Sequence, residues 1–116
     1  MIRTILSLFG AVALAACQHG SGPVPAILEN DSAETMAALK SSLAPAMDRA
    51  QIEFGAGDPT ATSSVSVLPA QATDFETNSP AMPVIFKLFI QDGRCFAVRE
   101  GSDSEIALPD VPCRPA

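Results

Sequence analysis

The strongest constraint on the fold of this chain is the run Val84-Ile85-Phe86-Lys87-Leu88-Phe89-Ile90, which is apolar on both alternating faces except at Lys87. A strand of that kind belongs in the middle of a sheet, covered on one side by a helix and mostly covered on the other. Asp92-Gly93 follows at once, and both residue types tolerate the positive φ angles of a type I′ turn, so the pair predicts a tight hairpin. Arg94-Cys95-Phe96-Ala97-Val98-Arg99 is then the returning strand. Gly101-Ser102-Asp103-Ser104 makes a second turn, and Glu105-Ile106-Ala107-Leu108 a short last strand before Pro109. These three strands predict a C-terminal β-meander. The phenylalanines Phe54, Phe86, Phe89 and Phe96 are expected mostly at core positions.

Upstream the period changes. Asn30-Asp31-Ser32 offers several N-cap candidates, with Asp31 and Glu34 near the positive end of the helix that should follow. Met36, Leu39, Leu43, Met47 and Ala50 recur at three- and four-residue spacing, which predicts one apolar helical stripe facing a core. Pro45 lies inside that stripe and should kink the helix or divide it in two. Residues 50–55 fit a helix or a strand equally, because Ala50, Ile52 and Phe54 alternate while Met47, Ala50 and Phe54 keep helical spacing. Gly55-Ala56-Gly57-Asp58-Pro59 ends either one. Ala61 to Leu68 is β-branched and alternating, a strand closed by Pro69, and Pro69 to Pro83 reads as a long exposed loop. The expected fold is α+β: one helix, kinked or divided at Pro45, on an antiparallel sheet of three to five strands.

The amino-terminal residues obey a different grammar. Arg3 supplies a positive charge, Ile5 to Leu14 is an apolar run, and Ala15-Ala16 are small residues before Cys17, the order of a secretory signal. A bilayer-spanning helix needs about 20 apolar residues; this run is shorter and gives way to Gln18-His19-Gly20-Ser21-Gly22-Pro23. Leu14-Ala15-Ala16-Cys17 resembles the lipobox of bacterial lipoproteins. The resemblance implies cleavage before Cys17, a diacylglyceryl thioether on its sulfur and attachment to a membrane. Gln18 is not the aspartate that commonly retains such proteins at the inner membrane, so the resemblance implies the outer membrane of a Gram-negative envelope, with the domain facing the periplasm. The domain plan is a signal peptide over 1–16, lipid attachment and a flexible tether over 17–30, and a small domain over 31–116. A thirteen-residue tether, Gln18 to Asn30, reaches about 20 Å as a coil and about 40 Å extended.

With Cys17 assigned to lipid, Cys95 and Cys113 remain and an oxidising compartment is expected to join them, fastening the tail to the second hairpin strand. The competing reading of the two as a redox or metal pair lacks a C-x-x-C spacing and a histidine cluster.

Removing the signal removes Arg3, so six basic residues face thirteen acidic ones and the side-chain balance is −7. That balance excludes nucleic acid as an expected partner and argues against a basic face adsorbed on anionic lipid. Histidine chemistry has no positioned base, since the single histidine, His19, sits on the tether. Zinc would have to be held almost wholly by carboxylates, no phosphate-binding glycine motif is complete, and no cofactor is expected. Asp58 and the Asp74/Glu76 pair are the carboxylates from which a hydrolytic dyad could be assembled, although solvated loop positions account for them. Phe75, flanked by Asp74 and Glu76, makes Asp74-Phe75-Glu76 the candidate interaction loop. The expected function is that of a non-catalytic, lipid-anchored envelope module that binds another protein. The alternatives are a small hydrolase using loop carboxylates and a small-molecule or lipid carrier, for which the domain looks too small to enclose a pocket of several hundred Å³.

Overall fold

A computed structural model describes residues 22–70 and 82–116 of the chain. In chain order the elements are strand β1 (Val24–Leu28), helix α1 (Ala33–Leu43), a 3-10 turn (Pro45–Met47), and strands β2 (Ser64–Val67), β3 (Val84–Gln91), β4 (Arg94–Arg99), β5 (Glu105–Ala107) and β6 (Cys113–Pro115). They form one helix packed on a six-stranded antiparallel sheet of order β5-β4-β3-β1-β6, with β2 also paired to β3.

The hairpin expected from Asp92-Gly93 is present, with both turn residues at positive φ (55° and 78°). Six residue pairs join β3 to β4, from Phe86↔Arg99 to Gln91↔Arg94. β3 is central as its sequence requires. Its second edge is shared between β2 along Val84–Lys87 and β1 at Phe89 and Ile90.

The sheet exceeds the expected three to five strands because β1 and β6 were not anticipated. β1 lies inside residues 17–30, read above as tether; Ala26 and Leu28 in it are fully buried. After two pairs with β3, β1 turns away and pairs with β6 through Ala26↔Pro115, Ile27↔Arg114 and Leu28↔Cys113. The departure leaves no orphaned donors, since the Leu28 N–H donates to the Pro59 carbonyl at 2.9 Å and the Glu29 N–H to the Pro112 carbonyl at 3.0 Å. Pro25 sits where β1 changes partner, a position that tolerates its missing donor.

Helix α1 begins at Ser32, whose side chain accepts from the Thr35 N–H at 3.2 Å. Thr35, although buried, is satisfied because its hydroxyl donates to Asn30 Oδ1 at 2.7 Å. Pro45 divides the helical stretch: α1 ends at Leu43 and the proline opens the 3-10 turn, where a missing N–H costs nothing. The apolar stripe therefore shifts. Leu39 and Leu43 are fully buried as expected and Met36 and Met47 pack beside them, but Ala50 is exposed. Asp48 at φ 56° has by then turned the chain out of the helical period.

Residues 50–55 resolve as an extended segment. Ile52 enters the core, and Phe54 bridges Val67 while the Gly55 N–H donates to the Ser66 carbonyl and the Leu68 N–H to the Glu53 carbonyl, both at 2.8 Å. The expected strand over 61–68 is shorter, because residues 58–62 are taken up by a turn in which the Ala61 and Thr62 N–H groups both donate to the Asp58 carbonyl at 2.9 Å.

Cys95 and Cys113 form a disulfide with Cα atoms 6.0 Å apart. In strand order β4 and β6 are separated by β3 and β1; in a flat sheet three steps of about 4.8 Å would hold them about 14 Å apart. The sheet is therefore rolled, and the bridge ties its β6 edge to β4, next to the other edge, across a core of Phe86, Leu88, Leu28, Leu39, Leu43 and Leu108.

Candidate functional site

Side chains on β3 alternate in environment. Val84, Phe86, Leu88 and Ile90 face the core, with Phe86 and Leu88 fully buried. Ile85, Lys87 and Phe89 project from the opposite, outer face, where Ile85 and Phe89 are half-buried and Lys87 is exposed. β4 repeats this: Cys95 and Ala97 point inward, Phe96 and Val98 outward and half-buried. The register sets Phe89 against Phe96 and Lys87 against Val98. The two phenyl rings stack with centroids 5.6 Å apart.

This corrects two expectations. The outer face of β3 is only half-covered among the described residues, and Phe89 and Phe96 lie there and not in the core; Phe86 alone of the four is fully buried, while Phe54 packs at the core margin. The cause is that α1, through Leu39 and Leu43, packs on the inner side of the sheet, while the 50–55 segment extends its edge beside β2. The outer apolar residues Phe89, Phe96 and Val98 thus form a patch with Lys87 opposite Val98 and Arg94 and Glu105 at its rim, while Ile85, beyond Lys87, lines a separate depression. Lys87 reaches Glu100 at 3.6 Å, both half-exposed, a pair worth little in stability. Beside Phe89, a shallow depression of about 480 Å³ is lined by Pro25, Thr62, Ser63, Ser64 and Lys87.

A second depression, about 310 Å³, runs between Met36, the Phe54–Pro59 segment and Ile85. Its size is at the lower end of ligand pockets, but it is a depression open to solvent and not an enclosed cavity. The polar side chains along it are small hydroxyls, those of Thr62, Ser64 and Ser66. Near α1, Lys40 lies 3.6 Å from Glu53 and 5.6 Å from the centre of the Phe54 ring, exposed contacts between the extended segment and the helix.

Asp58, the carboxylate singled out in the glycine-rich stretch, is occupied as a turn organiser. Its Oδ1 accepts from the Thr60 hydroxyl at 2.6 Å and the Thr60 N–H at 3.0 Å. Those bonds, the hydroxyl first, hold its pKa below the ordinary 3.8. A carboxylate stabilised in its charged form is a poor proton donor near neutrality. The turn also presents the Pro59 carbonyl to Leu28 of β1, so Asp58 serves the sheet. Among the described residues no three His, Cys, Asp or Glu side chains gather as a metal site, and no helix is long and apolar enough to cross a membrane.

Cys17, His19 and the loop residues Asp74, Phe75 and Glu76 lie outside the described residues. The disulfide is the sequence-derived site that the structure brings together. The outer patch was missed: the two-sided apolarity of β3 signals cover on both faces without saying whether the second cover belongs to the same chain. Comparison with protein families, with characterised proteins and with solved structures returns no match.

Proposed function

We propose that this chain is a bacterial lipoprotein, cleaved before Cys17 and anchored by lipid to the periplasmic side of the outer membrane, whose stapled domain acts without catalysis by binding another envelope protein. The observation that carries this reading is the position of β1. Its first residue, Val24, pairs with Ile90 at the hairpin end of β3, whereas Val67, just before the 69–83 segment, pairs with Val84 at the other end. Six residue steps along β3 separate the two, about 20 Å at 3.3 Å per step. An anchor on Cys17 thus holds one end of the sheet, and the segment carrying Asp74, Phe75 and Glu76 is attached at the far end. The Asp58 turn, with its carboxylate committed to Thr60, favours binding over hydrolysis.

The test joins mass and fractionation. The mature protein should gain a lipid-sized increment on Cys17 and sediment with membranes, and Cys17→Ser should release it to the soluble fraction. Cross-linking in intact envelopes should then recover a partner that Phe75→Ala loses. An unlipidated mature mass would overturn the anchor, and a cross-linked envelope with no partner above background would overturn the binding role.

A further inference from the structure

The outer patch is polarised along the sheet. Its aromatic pair, Phe89 and Phe96, lies at the hairpin end, beside Pro25 of β1, which pairs with Phe89. Val24, the first strand residue, pairs with Ile90 at the same end of the sheet, on the opposite face. Only Gln18 to Pro23, six residues, separate β1 from Cys17, a link of about 13 Å as a coil and about 25 Å fully extended. A lipid on Cys17 therefore confines this end of the sheet to the immediate neighbourhood of the bilayer, at an effective concentration in the millimolar range or above. At such a concentration a face too weak to bind in free solution is occupied.

Charge distinguishes this face from the rest. Lys87 and Arg94 stand against Glu100, Glu105 and Asp92 at the hairpin tip, two basic against three acidic residues and so near balance on a chain whose mature side chains sum to −7. The excess negative charge lies elsewhere, so this is the side that anionic headgroups repel least. An apolar patch rimmed by nearly balanced charge suits the bilayer interface, where aromatic rings sit at headgroup level.

We propose that the hairpin end of the outer face, formed by Pro25, Phe89 and Phe96 with Lys87 and Arg94, lies against the lipid surface that holds Cys17. The inference rests on the lipid anchor of the preceding reading. It orients the domain: the 3-10 turn, α1 and the 69–83 attachment points are left facing the aqueous space for a protein partner.

The chain contains no tryptophan or tyrosine, so one introduced indole reports without background. Mature lipidated Phe89→Trp is reconstituted into vesicles of phosphatidylethanolamine and phosphatidylglycerol carrying a doxyl-labelled lipid, beside Ala37→Trp on the exposed side of α1. Emission from position 89 should shift to shorter wavelength and be quenched, while that from position 37 should keep its aqueous maximum. Phe96→Trp provides the same reading if Phe89→Trp does not unfold cooperatively. Equal quenching at positions 37 and 89, or none at 89 and 96 on protein whose mass shows lipid on Cys17, overturns the docking and leaves the anchor standing. A mature mass without lipid removes both.

Discussion

Replacing Cys95 and Cys113 together by alanine tests how the rolled sheet is closed. The two residues are 18 apart in sequence, and for a loop of that length the chain-entropy relation gives about 11 cal/mol/K, or about 3 kcal/mol at room temperature. A domain of this size carries roughly 5–15 kcal/mol in all, so the loss is large without being fatal. The native state adds a local cost, because β6 is a three-residue edge strand whose only strand partner is β1. Urea unfolding should therefore show a lower midpoint, and a steeper slope if the unlinked denatured chain exposes more surface. Hydrogen exchange resolves the two contributions. Global loss raises exchange throughout β3 and β4, whereas fraying of β6 raises it first at its backbone contacts with β1. A double variant with unchanged unfolding free energy and unchanged protection at Ile27 and Arg114 would refute the claim that the bridge closes the sheet.

Other outcomes follow from packing and turn chemistry. Phe86→Ala, at the largest fully buried side chain, should cost about 3–5 kcal/mol in denaturant unfolding, while Phe96→Ala on the outer face should cost clearly less; equal losses would mean that both faces are packed alike. Ser32→Ala removes the oxygen that accepts from Thr35 and should cost about 1 kcal/mol, read by thermal melting. Thr60→Val should raise the Asp58 pKa toward 3.8, followed by carboxyl carbon shifts in an NMR titration, because the hydroxyl bond is the main cause of its depression. The sign follows from linkage. A carboxylate whose folded pKa is lowered contributes stability above its unfolded value and loses it as pH falls through the folded one, so the acid-side difference between wild type and Thr60→Val should close below pH 3.8.

The hairpin and meander were legible because pattern and turn chemistry agree there: β3 is apolar at every residue but Lys87 up to Ile90, and Asp92-Gly93 fixes the register. The break at Pro45 was legible for a similarly local reason, since a proline has few places in a helix. β1 left a weaker trace. Val24, Ala26 and Leu28 alternate, but Pro23, Pro25 and the neighbouring glycines read as a tether, and only pairing to two remote strands makes five such residues a strand. β6 had no trace beyond Cys113, for Cys113-Arg114-Pro115 has no apolar period and is held by the disulfide and the free edge of β1. The outer patch was half legible. Phe89 and Phe96 announce apolar surface, but which face they occupy is decided by where α1 packs.

The pairing of β1 with β6 joins positions nearly the whole described chain apart, Ala26 with Pro115, and the Ala116 N–H donates to the Pro25 carbonyl at 2.9 Å. Contacts of such long sequence separation form late and slowly, since loop closure precedes any reward. During vectorial synthesis β1 emerges first and waits for its last neighbour until nearly everything else has appeared. The same closure puts Ala116 beside Pro25 of β1, so a reporter fused there would crowd that end of β1, whereas one inserted between β2 and β3 leaves from Val67 and Val84 at the other end of β3 and would stand clear of it.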